Sequence, residues 1–296
     1  MTGLNANHEL KKNKIVNLIM KNQRLFQCPV CNGPMEIRSY SLFCENNHCF
    51  DLSRHGYINL LTRNSNEKYS KDLFQARHKI SEKGFFDPLI DEFIQVLKEY
   101  QGSSDTKELA VLDAGCGEGS HISRISRLMN GESELRLIGT DIAKEGIKIA
   151  AKANNDIIWI VSDLSRLPFQ NNSFHTVLNI LSPANYSEFE RILKKDGMII
   201  KIVPAQFYLK EIRERIDKGR DYSNDRIVDY FSNKLKVLSR KNIHFQYPVD
   251  EDTLPFLFKM TPLTWGISFE EWKDHTKTDL PFVTVDLTML VGKKRA

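Results

Sequence analysis

Apolar and polar residues follow two different periods along this chain, and the period changes repeatedly over its second half. Short apolar runs predict strands at residues 109–112, 135–140, 157–161, 176–181 and 198–203. Helical spacing separates these runs, so the strands should be parallel, with ligands at the carboxyl ends of the central ones. Residues 237–249 and 282–291 alternate as antiparallel strands do. The pattern predicts an α/β fold with a seven-stranded, mostly parallel sheet.

The first predicted strand ends in a glycine-rich turn, Val111-Leu-Asp-Ala-Gly-Cys-Gly-Glu-Gly119. Glycines at 115, 117 and 119 allow positive φ values and a close approach of the backbone to a ligand. The spacing differs from the G-x-G-x-x-G of dinucleotide folds. It favours S-adenosylmethionine, whose cationic amino group and sulfonium suit the carboxylates of Asp113 and Glu118. A glycine turn without a ligand is the alternative. We therefore expect Gly115, Gly117 and Gly119 to contact this cofactor.

Carboxylates also follow the second and third predicted strands. Asp141 could accept hydrogen bonds from both ribose hydroxyls, or it could cap the next helix. Asp163 could accept a hydrogen bond from the adenine amino group, with Leu164 against the ring. Together with the glycine turn, these residues predict an adenosine site at one edge of the sheet.

Near the N-terminus, two close pairs of metal-binding residue types are separated by twelve residues. Cys28 and Cys31 form the first pair, and Cys44 and His48 the second. Two such pairs on tight turns, joined by a β-hairpin, are what tetrahedral Zn²⁺ requires. Cys49 adjoins His48 and is the alternative fourth ligand, although we favour His48 and expect Cys49 to be a core thiol or a thiol next to the site.

The chain divides into three regions. Residues 1–25 are a basic extension, residues 26–62 the predicted zinc-binding ribbon, and residues 63–296 the α/β domain with N-terminal helices and a C-terminal insert. A polar stretch without periodicity, residues 62–70, is the predicted linker. The ribbon carries Arg38, Arg54, His55, Tyr40, Phe43 and Tyr57, a mixture that suits phosphates and unstacked bases. We therefore expect the ribbon to bind nucleic acid and the α/β domain to supply the chemistry.

Composition narrows the function classes only slightly. The 296 residues carry 42 Lys and Arg against 38 Asp and Glu, and this net charge of +4 is too small to prove a polyanionic partner. Five cysteines, an odd number, favour metal binding over a disulfide framework. No apolar run approaches the roughly 20 residues of a membrane span, and the first residues lack the order of a signal peptide. We expect a cytoplasmic protein.

Several motifs together sharpen this interpretation. They are the ribbon pairs, Gly56-Tyr-Ile-Asn-Leu-Leu61, Gln75-Ala-Arg77, Gly84-Phe-Phe-Asp-Pro-Leu89, the glycine turn and Met260-Thr-Pro-Leu-Thr-Trp265. With them, the chain from Phe26 onward resembles the bacterial 23S rRNA guanine-N1-methyltransferases of the RlmA type. The resemblance implies a class I, Rossmann-like methyltransferase fold with a small N-terminal zinc ribbon, using S-adenosylmethionine and Zn²⁺. It also implies that Phe86 and Tyr208 line the cofactor pocket, although relatives can carry histidine in place of Tyr208.

The resemblance further implies methylation of one guanine in a hairpin loop of the large-subunit RNA, near the peptide exit tunnel, by a homodimer. A neutral guanine carries a proton on N1, so a base or a group that stabilises charge on O6 is expected. Ser182 and Asn185, after the fourth strand, are the candidates to bond the base edge. An ordinary turn in which Asn185 caps the next helix is the alternative. Trp265 is expected in the core rather than over the substrate pocket.

Two other functions stay open at this point. One is a methyltransferase for a small molecule, which the ribbon argues against. The other is a non-catalytic RNA-binding protein, which the intact glycine turn and Asp141 argue against.

Overall fold

A computed structural model describes residues 2–63, 69–102, 108–131, 134–216, 222–276 and 280–295. The strands are β1 (Met35–Arg38), β2 (Ser41–Cys44), β3 (Cys49–Asp51), β4 (Tyr57–Asn59), β5 (Glu108–Ala114), β6 (Glu134–Asp141), β7 (Ile158–Val161), β8 (Phe174–Ile180), β9 (Leu193–Pro204), β10 (Lys236–Pro248) and β11 (Phe282–Lys293). The helices are α1 (Thr2–Asn22), α2 (Lys71–Glu82), α3 (Asp87–Gly102), α4 (Ser120–Leu128), α5 (Lys144–Ala153), α6 (Tyr186–Ile192), α7 (Lys210–Ile216), α8 (Asp225–Lys234), α9 (Leu254–Lys259) and α10 (Phe269–Thr276).

The large sheet has the strand order β10-β11-β9-β8-β5-β6-β7-β4. The pairs from β9 through β8, β5, β6 and β7 to β4 are parallel, and β11 pairs antiparallel with both β9 and β10. The class I methyltransferase architecture is confirmed. The sheet has eight strands rather than the predicted seven, because β4 from the ribbon region joins its edge beside β7.

Strand and helix formation follow from local sequence. Strand β8 is buried along its whole length, as expected of a central parallel strand with helices on both faces. Helix α2 begins at Ser70, whose hydroxyl accepts a hydrogen bond from the Leu73 backbone N–H at 3.2 Å. Its apolar face, including Phe74 and Ile80, is buried. This face points toward the carboxyl end of the sheet and helps to enclose the site described below.

The ribbon is not a separately packed unit. Its three-stranded sheet, β1-β2-β3, shares one hydrophobic core with one face of the large sheet. Phe26 forms an isolated bridge with Phe169, and the two rings lie 5.7 Å apart. In α1, Ile15 and Ile19 are buried in the same core, and a Cβ on Gly56, where φ is +90°, would overlap the Ile15 side chain. Divisions at residues 25 and 62 therefore cut through a common core.

Some sequence-based expectations concern residues outside the described ranges. The predicted linker lies mostly there, in residues 64–68. Tyr57, which we expected to contact nucleic acid, is buried in β4 instead.

None of the described helices has both the length and the apolar character of a membrane-spanning segment.

Candidate functional site

The four predicted metal ligands converge at one point of the ribbon. Their ligand atoms all lie within 4.8 Å of one another. The His48 Nδ1 atom is 3.5 Å from Cys28 Sγ and 3.3 Å from Cys44 Sγ, and Cys31 Sγ is 3.6 Å from Cys44 Sγ. Tetrahedral Zn²⁺ with bonds of about 2.3 Å to sulfur and about 2.0 Å to nitrogen requires ligand separations of roughly 3.5–3.8 Å. The donor set and its spacing therefore fit zinc.

Both ligand pairs sit on tight turns that their sequences favour. In the first turn, the Asn32 N–H donates to the Cys28 carbonyl at 2.9 Å, and in the second the Asn47 N–H donates to the Cys44 carbonyl at 2.9 Å. Both asparagines have positive φ, 62° and 59°, which asparagine tolerates better than most residues. A backbone hydrogen bond from Gly33 is the main cause that lowers the pKa of the Cys31 thiol to about 6. A lowered thiol pKa favours the thiolate that binds metal.

Cys49 does not belong to the cluster. Its side chain is exposed, and its Sγ atom lies 3.8 Å from Asp51 Oδ1. The choice of His48 over Cys49 is confirmed, whereas the expectation of a core position for Cys49 is wrong. Cys49 begins β3, whereas His48 lies in the turn before that strand.

The glycine turn forms one wall of a cavity of about 570 Å³ at the carboxyl edge of the sheet. Gly115, Gly117 and Gly119 all have positive φ, at 82°, 57° and 78°. A Cβ on Gly115 would overlap the Ser182 hydroxyl, and one on Gly119 would overlap the Trp159 ring. Gly115 and Gly117 line the cavity, whereas Gly119 lies outside its wall and permits packing of α4 against β7. The turn thus requires glycine for reasons of packing as well as of ligand access.

Three acidic side chains surround this turn. Asp113 is fully buried, and neither carboxylate oxygen has a hydrogen-bond partner among the described residues. Burial, followed by the charges of Asp141 and Glu118, raises the pKa of Asp113 well above its usual value. An orphaned carboxylate beside two other acids creates a site that a cation would stabilise. Glu118 and Asp141 line the cavity, whereas Asp113 is not among its lining residues, so the predicted contact of Asp113 with S-adenosylmethionine stays a prediction.

Glu118 lines the cavity, but one of its carboxylate oxygens already has hydrogen-bond partners within the protein. Its Oε2 atom accepts a hydrogen bond from the Ser120 backbone N–H at 3.2 Å and lies 3.3 Å from His78 Nδ1. This hydrogen bond is the main cause that raises the pKa of His78. Glu118 therefore also fixes the start of α4.

Asp141 makes the helix-cap contact that its sequence position suggested, and it also lines the cavity. It lines the cavity at the end of β6, and its Oδ1 accepts a hydrogen bond from the Ala143 N–H at 2.8 Å, just before α5. Its Oδ2 accepts a hydrogen bond from the Gly117 N–H at 2.8 Å, which ties the glycine turn to the neighbouring strand. Each carboxylate oxygen retains a second lone pair, so two ribose hydroxyls can still be bound.

We expect Asp141→Ala to weaken S-adenosylmethionine binding by about 1.5–3 kcal/mol, the cost of losing hydrogen bonds to a charged group. Isothermal titration calorimetry measures the affinity, and thermal unfolding shows whether the variant is folded. An unchanged affinity in a folded Asp141→Ala variant would leave Asp141 only its backbone partners and remove it from the cofactor site.

The remaining predicted cofactor residues also line the cavity: Phe86, Asp163, Leu164 and Tyr208. Phe86 packs edge-on against His121, with ring centroids 4.7 Å apart. Burial raises the pKa of Tyr208 to about 12. The raised pKa favours the neutral hydroxyl, which can donate a hydrogen bond.

Of the two predicted catalytic residues, only Ser182 lines the cavity. Asn185 is the cap of α6: its Oδ1 accepts a hydrogen bond from the Glu188 N–H at 3.4 Å, and its Nδ2 donates to the Leu164 carbonyl at 3.2 Å. The amide is thus occupied on both sides. The helix-cap alternative accounts for these contacts, and the expected contact of Asn185 with a base edge stays a prediction.

Beneath Ser182 lies a buried polar network that sequence analysis missed. Lys201, 4% exposed, donates from Nζ to the Ser182 carbonyl and to Asn179 Oδ1. Asn179 Nδ2 donates in turn to the Ala114 carbonyl at 2.7 Å and to the Pro183 carbonyl at 3.0 Å. Burial lowers the pKa of Lys201 to about 8. This network fixes the turn after β8 against the start of the glycine turn. Its only signal in the sequence was a lysine within the otherwise apolar run of residues 198–203.

Arg77 is a second residue that was not assigned a role. Its guanidinium lines the cavity, and its Nε donates to the Met260 carbonyl at 3.0 Å. The residue thereby joins α2 to the segment 260–265, which forms the roof of the cavity. Its position in the Gln75-Ala-Arg77 motif was the available signal.

Comparison with known proteins agrees with both the metal-binding cluster and the cofactor cavity. Residues 26–71 match a zinc-ribbon family described as "RlmA, N-terminal", and residues 111–197 match one described as "Methyltransferase domain". A Bacillus subtilis (strain 168) protein, YxjB, provisionally named a 23S rRNA (guanine-N(1)-)-methyltransferase, is 38% identical over 91% of this chain and 97% of its own length.

Two further relatives differ in how much of this chain they match. The 23S rRNA (guanine(748)-N(1))-methyltransferase of Streptomyces fradiae is 27% identical over 82% of this chain and 86% of its own length. The fatty-acid O-methyltransferase of Mycolicibacterium smegmatis is 26% identical over only 42% of this chain and 44% of its own length. Similarity over nearly the whole chain thus occurs with the rRNA-named relatives.

Proposed function

Because the chain belongs to the family of 23S rRNA (guanine-N1)-methyltransferases, we propose that it transfers a methyl group from S-adenosylmethionine to N1 of a guanine in 23S ribosomal RNA. The observation that carries this proposal is that one chain combines a zinc-type Cys₃His cluster, packed on one face of the large sheet, with a glycine-turn cavity at the carboxyl edge of the same sheet. A small-molecule methyltransferase needs the cavity but not the ribbon. A non-catalytic RNA-binding protein needs the ribbon but not a cavity lined by the glycine turn, Glu118 and Asp141.

S-Adenosylmethionine supplies the methyl group on a sulfonium, which the nucleophile must approach in line. The protein's task is therefore to position groups and to exclude water. We assign Asp113 to the cofactor's amino group, Asp141 to its ribose, and Asp163 with Leu164 to its adenine. Ser182, above Gly115, is placed to contact the edge of the target base. Lys201 and Asn179 are positioning residues for Ser182, because they bond the backbone of its turn.

The family resemblance supports a more specific location for the target guanine in the RNA. We propose that the target lies in a hairpin loop near the peptide exit tunnel, and that the enzyme works in the cytoplasm, where ribosomal RNA resides. The exposed face of the ribbon supports RNA contact, since Arg38 stacks over Phe43 at 5.7 Å and both can meet phosphates or bases.

We further propose a homodimer, for which α8 and β10 offer a surface. Ile227, Tyr230, Val237 and Leu238 expose large apolar side chains there. Sedimentation velocity tests this assignment, and a monomer at micromolar concentration would contradict it.

The central experiment supplies purified protein and S-adenosylmethionine to an unmodified 23S rRNA transcript. We expect mass spectrometry of the nucleosides to detect 1-methylguanosine. Primer extension should stop at one position, because a methyl group on N1 blocks base pairing. Methyl transfer to extracted metabolites, but not to RNA, would favour the small-molecule alternative. Absence of S-adenosylmethionine binding by calorimetry would favour the non-catalytic one.

A further inference from the structure

We propose that Tyr69 and Trp265 form a stacking platform for the target guanine at the mouth of the cavity, an inference that rests on the proposed function. Trp265 was expected in the core, but its side chain is 49% exposed. Its ring lies 5.5 Å from that of Tyr69 in an edge-to-face arrangement. Tyr69 and Leu263 line the cavity, whereas Trp265 is outside its lining and contacts Tyr69, so the aromatic pair lies at the rim.

The segment that carries Trp265 is held by specific hydrogen bonds. The Thr261 hydroxyl accepts a hydrogen bond from the Leu263 N–H at 3.2 Å, and the Trp265 N–H donates to the Pro262 carbonyl at 3.2 Å. The Thr264 hydroxyl is buried and donates to the Phe258 carbonyl. Gly266, with φ of +81°, ends the turn directly after the tryptophan. A large aromatic side chain is therefore displayed to solvent by an ordered backbone rather than by a loose loop.

Tyr69 is held in place by side chains of α2. Its ring packs against Phe74 of α2 at 6.1 Å, and the guanidinium of Arg77 lies 6.0 Å from the centre of the ring. Arg77 also bonds the Met260 carbonyl, which links the two halves of the platform through one side chain. The pair thus combines flat π surfaces with a neighbouring positive charge.

An unstacked nucleobase is the ligand that this combination fits. A guanine in a hairpin loop has an unpaired N1, but to bring N1 to the cofactor the base must turn out of its stack, and an aromatic surface replaces the stacking that it loses. The wall around Asp141, Asp163 and Leu164 is assigned to the cofactor's adenosine. The platform lies at the roof segment, residues 260–265, and its two residues are not assigned to the cofactor. It is therefore available to the second substrate, the target guanine. Arg77 adds attraction for an RNA phosphate or for electron-rich base edges.

The test compares Trp265→Phe with Trp265→Leu in the full-length protein, on the 23S rRNA transcript. Leucine retains apolar bulk but has no π face, so we expect kcat/KM for RNA to fall about 5- to 150-fold, the range of one lost base–aromatic stack. Phenylalanine should retain activity to within about threefold, and S-adenosylmethionine affinity should stay within about twofold in both. Equal activity of Trp265→Leu and the unaltered protein, or equal loss in both variants, would overturn the platform.

Fluorescence separates this inference from the proposed function. Among the three tryptophans, Trp159 and Trp272 are buried, so quenching by added RNA reports mainly on Trp265. The probe is a guanine-containing single-stranded RNA hexamer, with S-adenosylhomocysteine in the cavity. We expect quenching that the Trp265→Phe variant lacks. Quenching without methylation of the transcript would refute the proposed function but keep the platform. Methylation without quenching, and without loss in Trp265→Leu, would refute the platform alone.

Discussion

Replacement of Cys44 by serine is expected to release the metal and to destabilise the whole protein, not only the ribbon. A structural zinc site contributes on the order of 10–16 kcal/mol to the folding of its module. Cys44 is itself buried in the core that the ribbon shares with Phe169 and one face of the large sheet. Loss of the ribbon would therefore expose the apolar edge of the methyltransferase fold, and we expect a single cooperative transition at a much lower Tm.

Cys49→Ser is the matched control, since Cys49 is exposed and lies outside the ligand cluster. Metal content by mass spectrometry should be about one zinc per chain in the unaltered protein and in Cys49→Ser, and close to zero in Cys44→Ser. Differential scanning calorimetry gives the corresponding Tm values. Loss of zinc from Cys49→Ser, or retention of zinc in Cys44→Ser, would show that the ligand set is wrong. Two separate transitions would show that the ribbon folds independently.

Lys201→Met is expected to lower kcat for RNA methylation by about 100-fold, the scale of a displacement of about 1 Å at reacting groups. The substitution keeps the length of the side chain but removes the donor that holds the Ser182 carbonyl and Asn179. Leu181, which precedes Ser182, has a positive φ of 49°, so the turn is held in a conformation that it would not favour alone. Without the ammonium group the turn should relax and Ser182 should move from its place above Gly115.

Because Lys201 acts through the turn, the readouts must separate positioning from folding. S-Adenosylmethionine affinity should change less than about threefold, since Asp113 and Asp141 are untouched. Lys201→Gln retains a donor and should recover part of kcat, whereas Lys195→Met, at an exposed position, should behave as the unaltered protein. A kcat loss matched by an equal loss of cofactor affinity would indicate general disruption of the fold. An unaltered kcat in a folded Lys201→Met variant would exclude the positioning role.

Local sequence determined the elements that depend on short-range rules. The spacing of Cys28, Cys31, Cys44 and His48 identified the ligand set, because each pair must occupy a single tight turn. The alternation of apolar runs and helical patterns identified the parallel strands from β5 to β9, since buried strands need continuous apolar runs. The glycine turn and Asp141 followed from the position of strand ends, where ligands of parallel sheets bind.

Tertiary structure decided the features that depend on which distant segments meet. Strand β4 joins the large sheet because its edge pairs with β7, about a hundred residues away, and no local pattern encodes that partner. Asn179 and Lys201 become a polar network only because β8 and β9 place them opposite each other. Trp265 is exposed although it was expected in the core, and only the folded chain shows that its ring meets Tyr69. Composition and periodicity describe each segment by itself, whereas the surroundings of a polar or aromatic side chain are set by neighbours that only the folded chain brings together.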